Sequence, residues 1–348
     1  MEKRKDVTIY DIAKKLQLSP ATISRALNDH PGISERTKKR ILDTANELGY
    51  RSNTFASNLR RQHSNTLGVI VPRLNSYFMS MAISGMEKVA NQFGYNLLIS
   101  QSLETMAKEI KNAQTMYDSR VDGLLVSLAY DTRDLSHFDA FTKRGIPLIF
   151  FDRVADQQKV TSVVINNYRS GYEVTSHLVS QGCRHIAHIT GNVLRNVYAD
   201  RLKGYKQALS DNGLPFCKEY LMETDLSEQA GIESAKKLLK MDAQPDGIFV
   251  ANDTCAISCI RYLQQAAVNI PADIAVAGFN NNPISRVIEP ALTTVNYPAR
   301  EMGEVTVTNL INHLNGSSNI HATNTIILRS DLIVRDSTLR KMKIDTAD

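Results

Sequence analysis

From residue 66 onward, short apolar runs of the buried-strand type alternate with segments of helical period, and this alternation constrains the fold more than any other feature. The runs are Leu67-Gly68-Val69-Ile70-Val71-Pro72, Tyr95-Asn96-Leu97-Leu98-Ile99-Ser100, Val121-Asp122-Gly123-Leu124-Leu125-Val126 and Ile146-Pro147-Leu148-Ile149-Phe150-Phe151. Ser162-Val163-Val164-Ile165, His185-Ile186-Ala187-His188-Ile189, Asp246-Gly247-Ile248-Phe249-Val250 and Ile274-Ala275-Val276-Ala277-Gly278-Phe279 continue the series. A helix is expected over 77–93, between the first two. Strands separated by helices must run parallel, with helices covering both faces of the sheet. About nine strands exceed one comfortable sheet, so two α/β subdomains are expected. In open α/β sheets ligands bind beyond the carboxyl ends of strands. That rule singles out Asn75 to Phe78, Asp152 and Arg153, Gly191 to Asn196, Asn252 and Asp253, and Asn280 to Asn282.

The first 50 residues have a different texture. Thr8 with Asp11 forms a capping-box pattern, and Ile9, Ile12, Ala13 and Leu16 recur at helical spacing. Ser19 can cap a second helix with Pro20 in its first position, where a missing N–H costs nothing. Ile23, Ala26 and Leu27 form that helix's apolar stripe, leaving Thr22, Ser24, Arg25 and Asn28 outward. Two short amphipathic helices joined by a tight turn make a helix-turn-helix pattern, whose second helix enters the major groove. Ser34 opens a third helix that ends at Gly49, with Ile41, Leu42, Ala45 and Leu48 expected on its apolar side. Lys38, Lys39 and Arg40 lie in its middle, and Lys38 is expected to contact phosphate.

Charge supports this division. Residues 1–63 hold 13 Lys+Arg against 7 Asp+Glu, while the whole chain carries +5, so the positive charge is concentrated at the front. A basic module on a near-neutral body favours nucleic acid over a membrane or an acidic substrate. Residues 50–61 are polar and flanked by arginines, with an isolated Leu59. A segment of this kind can order on DNA while its apolar side chain wedges between base steps. No apolar run approaches the roughly 18 residues a bilayer span requires, and no signal-peptide block opens the chain, so a cytoplasmic location and no membrane partner are expected. Cys183, Cys217, Cys255 and Cys259 show neither a C-x-x-C pair nor clustered histidines, so no metal, disulfide or cofactor is expected. No G-x-S-x-G, P-loop or G-x-G-x-x-G motif is present, and His185 and His188 sit without a nucleophile partner. An enzyme is therefore disfavoured.

With these residues in view, the chain resembles the LacI/GalR (lactose-repressor type) family of bacterial transcription regulators along essentially its full length. The head matches at Thr8-Ile9-Tyr10-Asp11-Ile12-Ala13, at Ser19 to Asn28 and at Leu48-Gly49-Tyr50. The body is echoed by Gly68 to Pro72, Gly94-Tyr95, Asp122-Gly123, Phe151-Asp152-Arg153, Arg201-Leu202-Lys203-Gly204-Tyr205, Ala251-Asn252-Asp253 and Leu292-Thr293-Thr294-Val295.

The resemblance implies a small all-α helix-turn-helix headpiece (1–50), a hinge helix or linker (51–63) and a body (64–348) for effector binding and dimerisation. The body would be α/β, periplasmic-binding-protein-like, with parallel sheets in two subdomains: about 64–166 plus 293–325, and about 167–292 plus 326–336. The implied partners are a pseudo-palindromic double-stranded DNA operator, a second copy in a homodimer, and a small effector, a sugar or sugar derivative, in the cleft between subdomains. The expected DNA-contacting residues are Thr8, Tyr10, Ser19, Pro20, Ala21, Thr22, Ser24, Arg25, Asn28, Asn53, Ala56 and Leu59. The expected effector residues are Asn75, Phe78, Asp152, Arg153, Arg195, Arg201, Asn252 and Asn280.

Three departures from the family pattern matter. Pro20 and Ala21, where operator preference is usually set, offer base edges only apolar contact. Ser52 and the run Ala56-Ser57-Asn58-Leu59 depart from the common hinge sequence. Asn280 stands where many sugar-responsive members carry aspartate, and asparagine both donates and accepts. With three arginines nominally in the cleft, an acidic sugar or phosphorylated ligand is a second possibility beside a neutral sugar. A plain solute-binding protein is the alternative function, and the basic front module counts against it. The tail from Asp336 lacks leucine heptads, so no tail-built tetramer is expected.

Overall fold

The computed structural model describes residues 7–50, 63–155, 160–322 and 325–340. The chain divides into two compact units, Met1–Ser64 and Asn65–Asp348, each described by itself.

The first unit contains α1 (Ile9–Leu16), α2 (Pro20–Leu27) and α3 (Glu35–Leu48). Their ends follow the side-chain chemistry. The backbone N–H of Thr8 donates to Asp11 Oδ2 at 2.8 Å, and Ser19 Oγ accepts from the N–H of Thr22 at 3.1 Å. Gly49, at φ +68°, closes α3 in the left-handed region that glycine enters without strain. Ile12, Ala13, Ile23, Ala26, Ile41 and Ala45 pack into the small core. Leu42, expected on the apolar side of α3, is instead 47% exposed, because the helix turns Ile41 and Ala45 inward.

In the second unit, β1 (Thr66–Val71), α4 (Tyr77–Gln92), β2 (Asn96–Gln101), α5 (Met106–Asp118) and β3 (Gly123–Val126) begin the expected alternation. It continues through α6 (Asp139–Lys143), β4 (Leu148–Phe151) and β5 (Thr161–Ile165). The chain then enters the second subdomain with α7 (Asn167–Ser180), β6 (Ile186–Thr190), α8 (Asn196–Asp211), β7 (Leu221–Glu223), α9 (Glu228–Leu238), β8 (Gly247–Val250), α10 (Asp253–Gln265) and β9 (Ala275–Ala277). It returns through β10 (Thr294–Asn296), α11 (Ala299–Leu314) and β11 (Thr325–Leu328), and leaves again with β12 (Asp331–Ile333).

The first sheet has the order β11-β5-β4-β3-β1-β2 and the second β7-β6-β8-β9, every pairing within them parallel. β10 and β12 pair antiparallel where the chain passes between subdomains. The whole of β11 pairs with β5, from Thr325 against Ser162 to Leu328 against Ile165. The expected return to the second subdomain at residue 326 therefore falls inside a strand of the first sheet. The reason is the ladder itself, since β5 needs a partner along its full length to satisfy its backbone groups.

Helix pairs seal the sheets at glycine contacts. In α7 against α8, a Cβ on Gly204 would collide with the carbonyl of Tyr168, and one on Gly171 with the backbone of Arg201. This close approach fixes the position of α8, and with it Tyr198, Arg201 and Tyr205.

Candidate DNA-reading face and effector cleft

On the headpiece, Ala21, Arg25 and Asn28 follow one another at i, i+4 and i+7 on the exposed side of α2, opposite buried Ile23 and Ala26. Tyr10 on α1 is 68% exposed. Several other expected contact residues already serve the helices. Ser19 caps α2 and bonds Thr22 Oγ1 at 2.9 Å, Thr8 Oγ1 donates to Asp11 at 2.7 Å, and Asn28 Nδ2 donates to the carbonyl of Ser24 at 2.7 Å. Pro20 fills the first turn of α2, and Thr22 and Ser24 are half-buried. Tyr10, Ala21 and Arg25 remain as side chains presented outward, and the phenol and guanidinium among them are groups that suit phosphates and base edges. Asn53, Ala56 and Leu59 lie outside the described residues.

Lys38 departs from expectation. Its stem is buried at 8% exposure, and Nζ bridges Asp29 at 2.6 Å and Glu35 at 2.8 Å. Those carboxylates are themselves largely exposed, so the ammonium sits at the surface while its methylenes cover the core. The bond to Asp29, then that to Glu35, raises its pKa. Lys38 therefore ties the turn after α2 to α3 and is already engaged by carboxylates.

In the body, the deepest cluster forms where β4 ends. Asp152 adopts φ +58°, a left-handed conformation that costs a residue other than glycine some strain. This turn carries its carboxylate inward. Oδ1 accepts from Tyr297 at 2.8 Å and Oδ2 from Ser127 at 3.4 Å. Burial raises the Asp152 pKa, opposed first by Arg153 and then by the Tyr297 bond and Arg201. Phe78 packs on Tyr297 with ring centroids 4.4 Å apart.

Arg201 is almost wholly buried. Its Nε donates to Asn167 Oδ1 and its Nη1 to the carbonyl of Ala251, both at 2.9 Å, while the guanidinium lies 3.5 Å over the ring of Phe279. Desolvation lowers its pKa. Phe78, Asp152, Arg201, Phe279 and Tyr297 thus place one carboxylate and one guanidinium among three aromatic rings, with side chains from both subdomains. Hydrogen-bonding groups at a ring-lined wall can hold a small polar ligand in a fixed orientation.

The remaining expected effector residues take other positions. Arg153 Nη1 pairs with Glu104 Oε2 at 2.6 Å and Nη2 donates to Tyr198 at 3.2 Å, over the ring of Tyr130 at 4.2 Å. Its charge is already compensated. Asn252 caps α10 through the N–H of Cys255 at 2.8 Å and donates to the carbonyl of Leu226 at 3.0 Å. Asn75 is exposed. Asn280, at φ +102°, is half-buried, its N–H donating to the carbonyl of Val295 at 3.0 Å. Neighbouring Asp253 holds this loop, Oδ2 accepting from Asn282 N–H at 2.6 Å and Oδ1 from Thr294 at 2.7 Å, and its carboxyl is pushed up to about 7 by burial. Arg195 turns away from the cluster, Nη2 donating to the carbonyl of Thr132 at 2.6 Å.

Sequence reasoning missed Tyr297, Phe279, Ser127 and Glu104, and it singled out Asn196 only as one of the positions beyond a strand end. Asn196 joins the subdomains, because Oδ1 accepts from the N–H of Val154 at 2.9 Å while Nδ2 donates to the carbonyl of Asp152 at 3.1 Å. Tyr297 could have been found from the Leu-Thr-Thr-Val run that feeds it into the crossover. His188, placed on a buried strand, stacks on Phe249 at 4.4 Å and on Tyr205 at 5.2 Å, and burial pushes its pKa down to about 4. That is a core histidine. Among the described residues no group of three or more His, Cys, Asp or Glu could hold a metal ion, and no helix is long and apolar enough to cross a membrane.

Residues 8–53 match the model for bacterial regulatory proteins of the lacI family, and residues 175–338 match a periplasmic binding protein-like domain. Catabolite control protein A of Priestia megaterium is 32% identical over 89% of this chain and 93% of its own. The HTH-type transcriptional regulator DegA of Bacillus subtilis is 30% identical over 95% and 98%. The crystal structure of the lac repressor dimer bound to operator and the anti-inducer ONPF superposes with a TM-score of 0.86 at 25% identity, over 97% of this chain and 100% of that one. A helix-turn-helix headpiece preceding an effector-binding body of the periplasmic-binding-protein type defines a DNA-binding transcriptional regulator, not an enzyme. The chain belongs to the lacI family of bacterial regulatory proteins.

Proposed function

We propose that the protein is a cytoplasmic repressor that binds a pseudo-palindromic operator as a homodimer and changes its operator affinity when a sugar or sugar derivative enters the cleft between its subdomains. The observation that carries the reading is the cluster of Asp152, Tyr297 and Arg201 among the rings of Phe78 and Phe279. Carboxylate, phenol and guanidinium at a ring-lined wall suit a hydroxylated ring, whose hydroxyls both donate and accept while its apolar face packs on aromatics. The lac repressor structure, solved on operator with an anti-inducer, supports the same arrangement. Arg25, exposed at the end of α2, is the proposed base-reading cation, and the start of α2 the phosphate contact.

Ligand acts through differential affinity, binding the DNA-competent and DNA-free states unequally. The test is a thermal-shift screen of sugars, sugar acids and sugar phosphates on the full chain, followed by fluorescence anisotropy on an operator selected from random DNA. A ligand that raises the melting temperature is expected to shift operator affinity, and Arg201→Lys is expected to remove both effects. Operator affinity unmoved by every stabilising ligand would sink the regulatory role of the cleft.

A further inference from the structure

The start of α8 grips the opposite subdomain with the protein's own hydrogen bonds. Asn196 bonds twice to the loop that follows β4, at the N–H of Val154 and the carbonyl of Asp152. Arg195 Nη2 reaches the carbonyl of Thr132. Further along, the Tyr198 hydroxyl accepts from Arg153 Nη2 at 3.2 Å and lies 3.2 Å from the hydroxyl of Tyr130. Tyr130 follows β3 in the first subdomain, yet its side chain packs against the core of the second. Glu104 holds Arg153 from the other end, at Nη1. Arg153 and Tyr198 are both buried, so water competes little for the bond between them.

The interior behind this clasp is filled as well. Tyr297 is 4% exposed, with its phenol on Asp152 and its ring against Phe78 and, at 6.0 Å between centroids, Phe279. The guanidinium of Arg201 lies 5.8 Å over the same ring, with Nε and Nη1 already committed to Asn167 and Ala251. The carboxylate and the guanidinium that an entering hydroxylated ring needs are thus engaged by the protein. A phenol, itself a hydroxylated ring, stands on the carboxylate.

We propose that the cleft is closed by built-in contacts, the start of α8 clasping the first subdomain while Tyr297 holds the place of an effector hydroxyl on Asp152, so that an effector enters by displacing Tyr297. The identity of the competitor rests on the reading of this cleft as the effector site; the clasp does not. Asp152 Oδ1 is freed in the state from which Tyr297 has withdrawn, and the scarcity of that state weakens apparent affinity in proportion. Ligand can shift an equilibrium only toward a state it binds better. With closure already secured, the event it causes is the movement of Tyr297, two residues ahead of α11.

Hydrogen exchange of the full-length protein in sugar-free buffer, read by mass spectrometry on peptides that span the Val154 amide, tests the clasp. That amide is expected to exchange about 100-fold or more slower than in an unstructured peptide. Tyr198→Phe removes only the hydroxyl bonded to Arg153 and Tyr130, and about ten-fold faster exchange at Val154 is expected if the contacts act as one unit. An unprotected amide in wild type, or unchanged exchange in Tyr198→Phe, overturns the clasp. Phenol tests the place of Tyr297. In calorimetric titration Tyr297→Ala is expected to bind phenol saturably and about ten-fold or more tighter than wild type, where Tyr297 excludes it. Equal binding, or none, in a folded Tyr297→Ala protein overturns the displacement; if that variant does not fold, the wild-type amide decides alone. Neither measurement uses an effector. A sugar screen without a ligand would sink the regulatory reading and leave the clasp standing, and an unprotected Val154 would do the reverse.

Discussion

The phenolic hydroxyl of Tyr297 donates to Oδ1 of Asp152 at 2.8 Å, joining residues 145 positions apart in the chain. The bond ties the crossover after β10 to the end of β4, so the position of the buried carboxylate depends on chain connections between the subdomains. Tyr297→Phe removes the donor and keeps the ring on Phe78. A loss of about 1–3 kcal/mol in urea unfolding is expected, the usual cost of leaving a buried acceptor unsatisfied. Burial already raises the Asp152 pKa, and removing the donor raises it further. The deficit is therefore expected to shrink as pH falls, because a protonated carboxyl no longer needs the bond.

His188 makes the fold acid-sensitive. Its pKa is about 4 in the folded protein against an ordinary 6.5, so the unfolded chain binds the extra proton first as pH falls. Stability is expected to be undiminished above about pH 6.5 and to decline toward pH 4 by up to about 3 kcal/mol. Urea midpoints measured across this range should show the decline in wild type and a reduced one in His188→Phe. An identical decline in both would assign it to other groups.

The role proposed for Arg25 and the structural position of Lys38 predict different effects on DNA binding. Arg25→Ala is expected to cost operator binding about 1–3 kcal/mol while changing nonspecific binding less. Lys38→Ala is expected to lower the melting temperature of the headpiece yet leave the slope of log affinity against log salt unchanged, because Asp29 and Glu35 already neutralise Nζ. A flattened slope in Lys38→Ala would place that lysine on phosphate after all.

Gly204→Ala tests the seam between α7 and α8. A methyl there meets the carbonyl of Tyr168 and the N–H of Tyr172, and overpacking against backbone is expected to cost about 3 kcal/mol or more. Since α8 carries Arg201, ligand-induced stabilisation is expected to fall along with the melting temperature. A variant that melts and responds as wild type does would show that the helices part easily.

The parallel sheets were legible because strands buried on both faces read as continuous apolar runs. Helix caps were legible for a related reason, since their signals are local: Ser19, Ser34 and Gly49 act within a few residues of themselves. Pairings over long distances left no such trace. β7, three residues reading Leu-Met-Glu at a sheet edge, carries no apolar run. Lys38 looks like a phosphate contact until Asp29 is seen folded against it. Arg153 and Arg195 are indistinguishable as letters, yet one meets Glu104 and the other a backbone carbonyl, a difference set by strands and helices far apart in sequence.

The position of β11 has a consequence for how the chain is made. Its partner β5 ends at Ile165, but Thr325–Leu328 leaves the ribosome only after the entire second sheet has been synthesised. Until then β5 presents a bare edge, a template for pairing with other chains. The first subdomain to begin is therefore the last to finish, and truncation before residue 325 would leave that edge permanently open to aggregation.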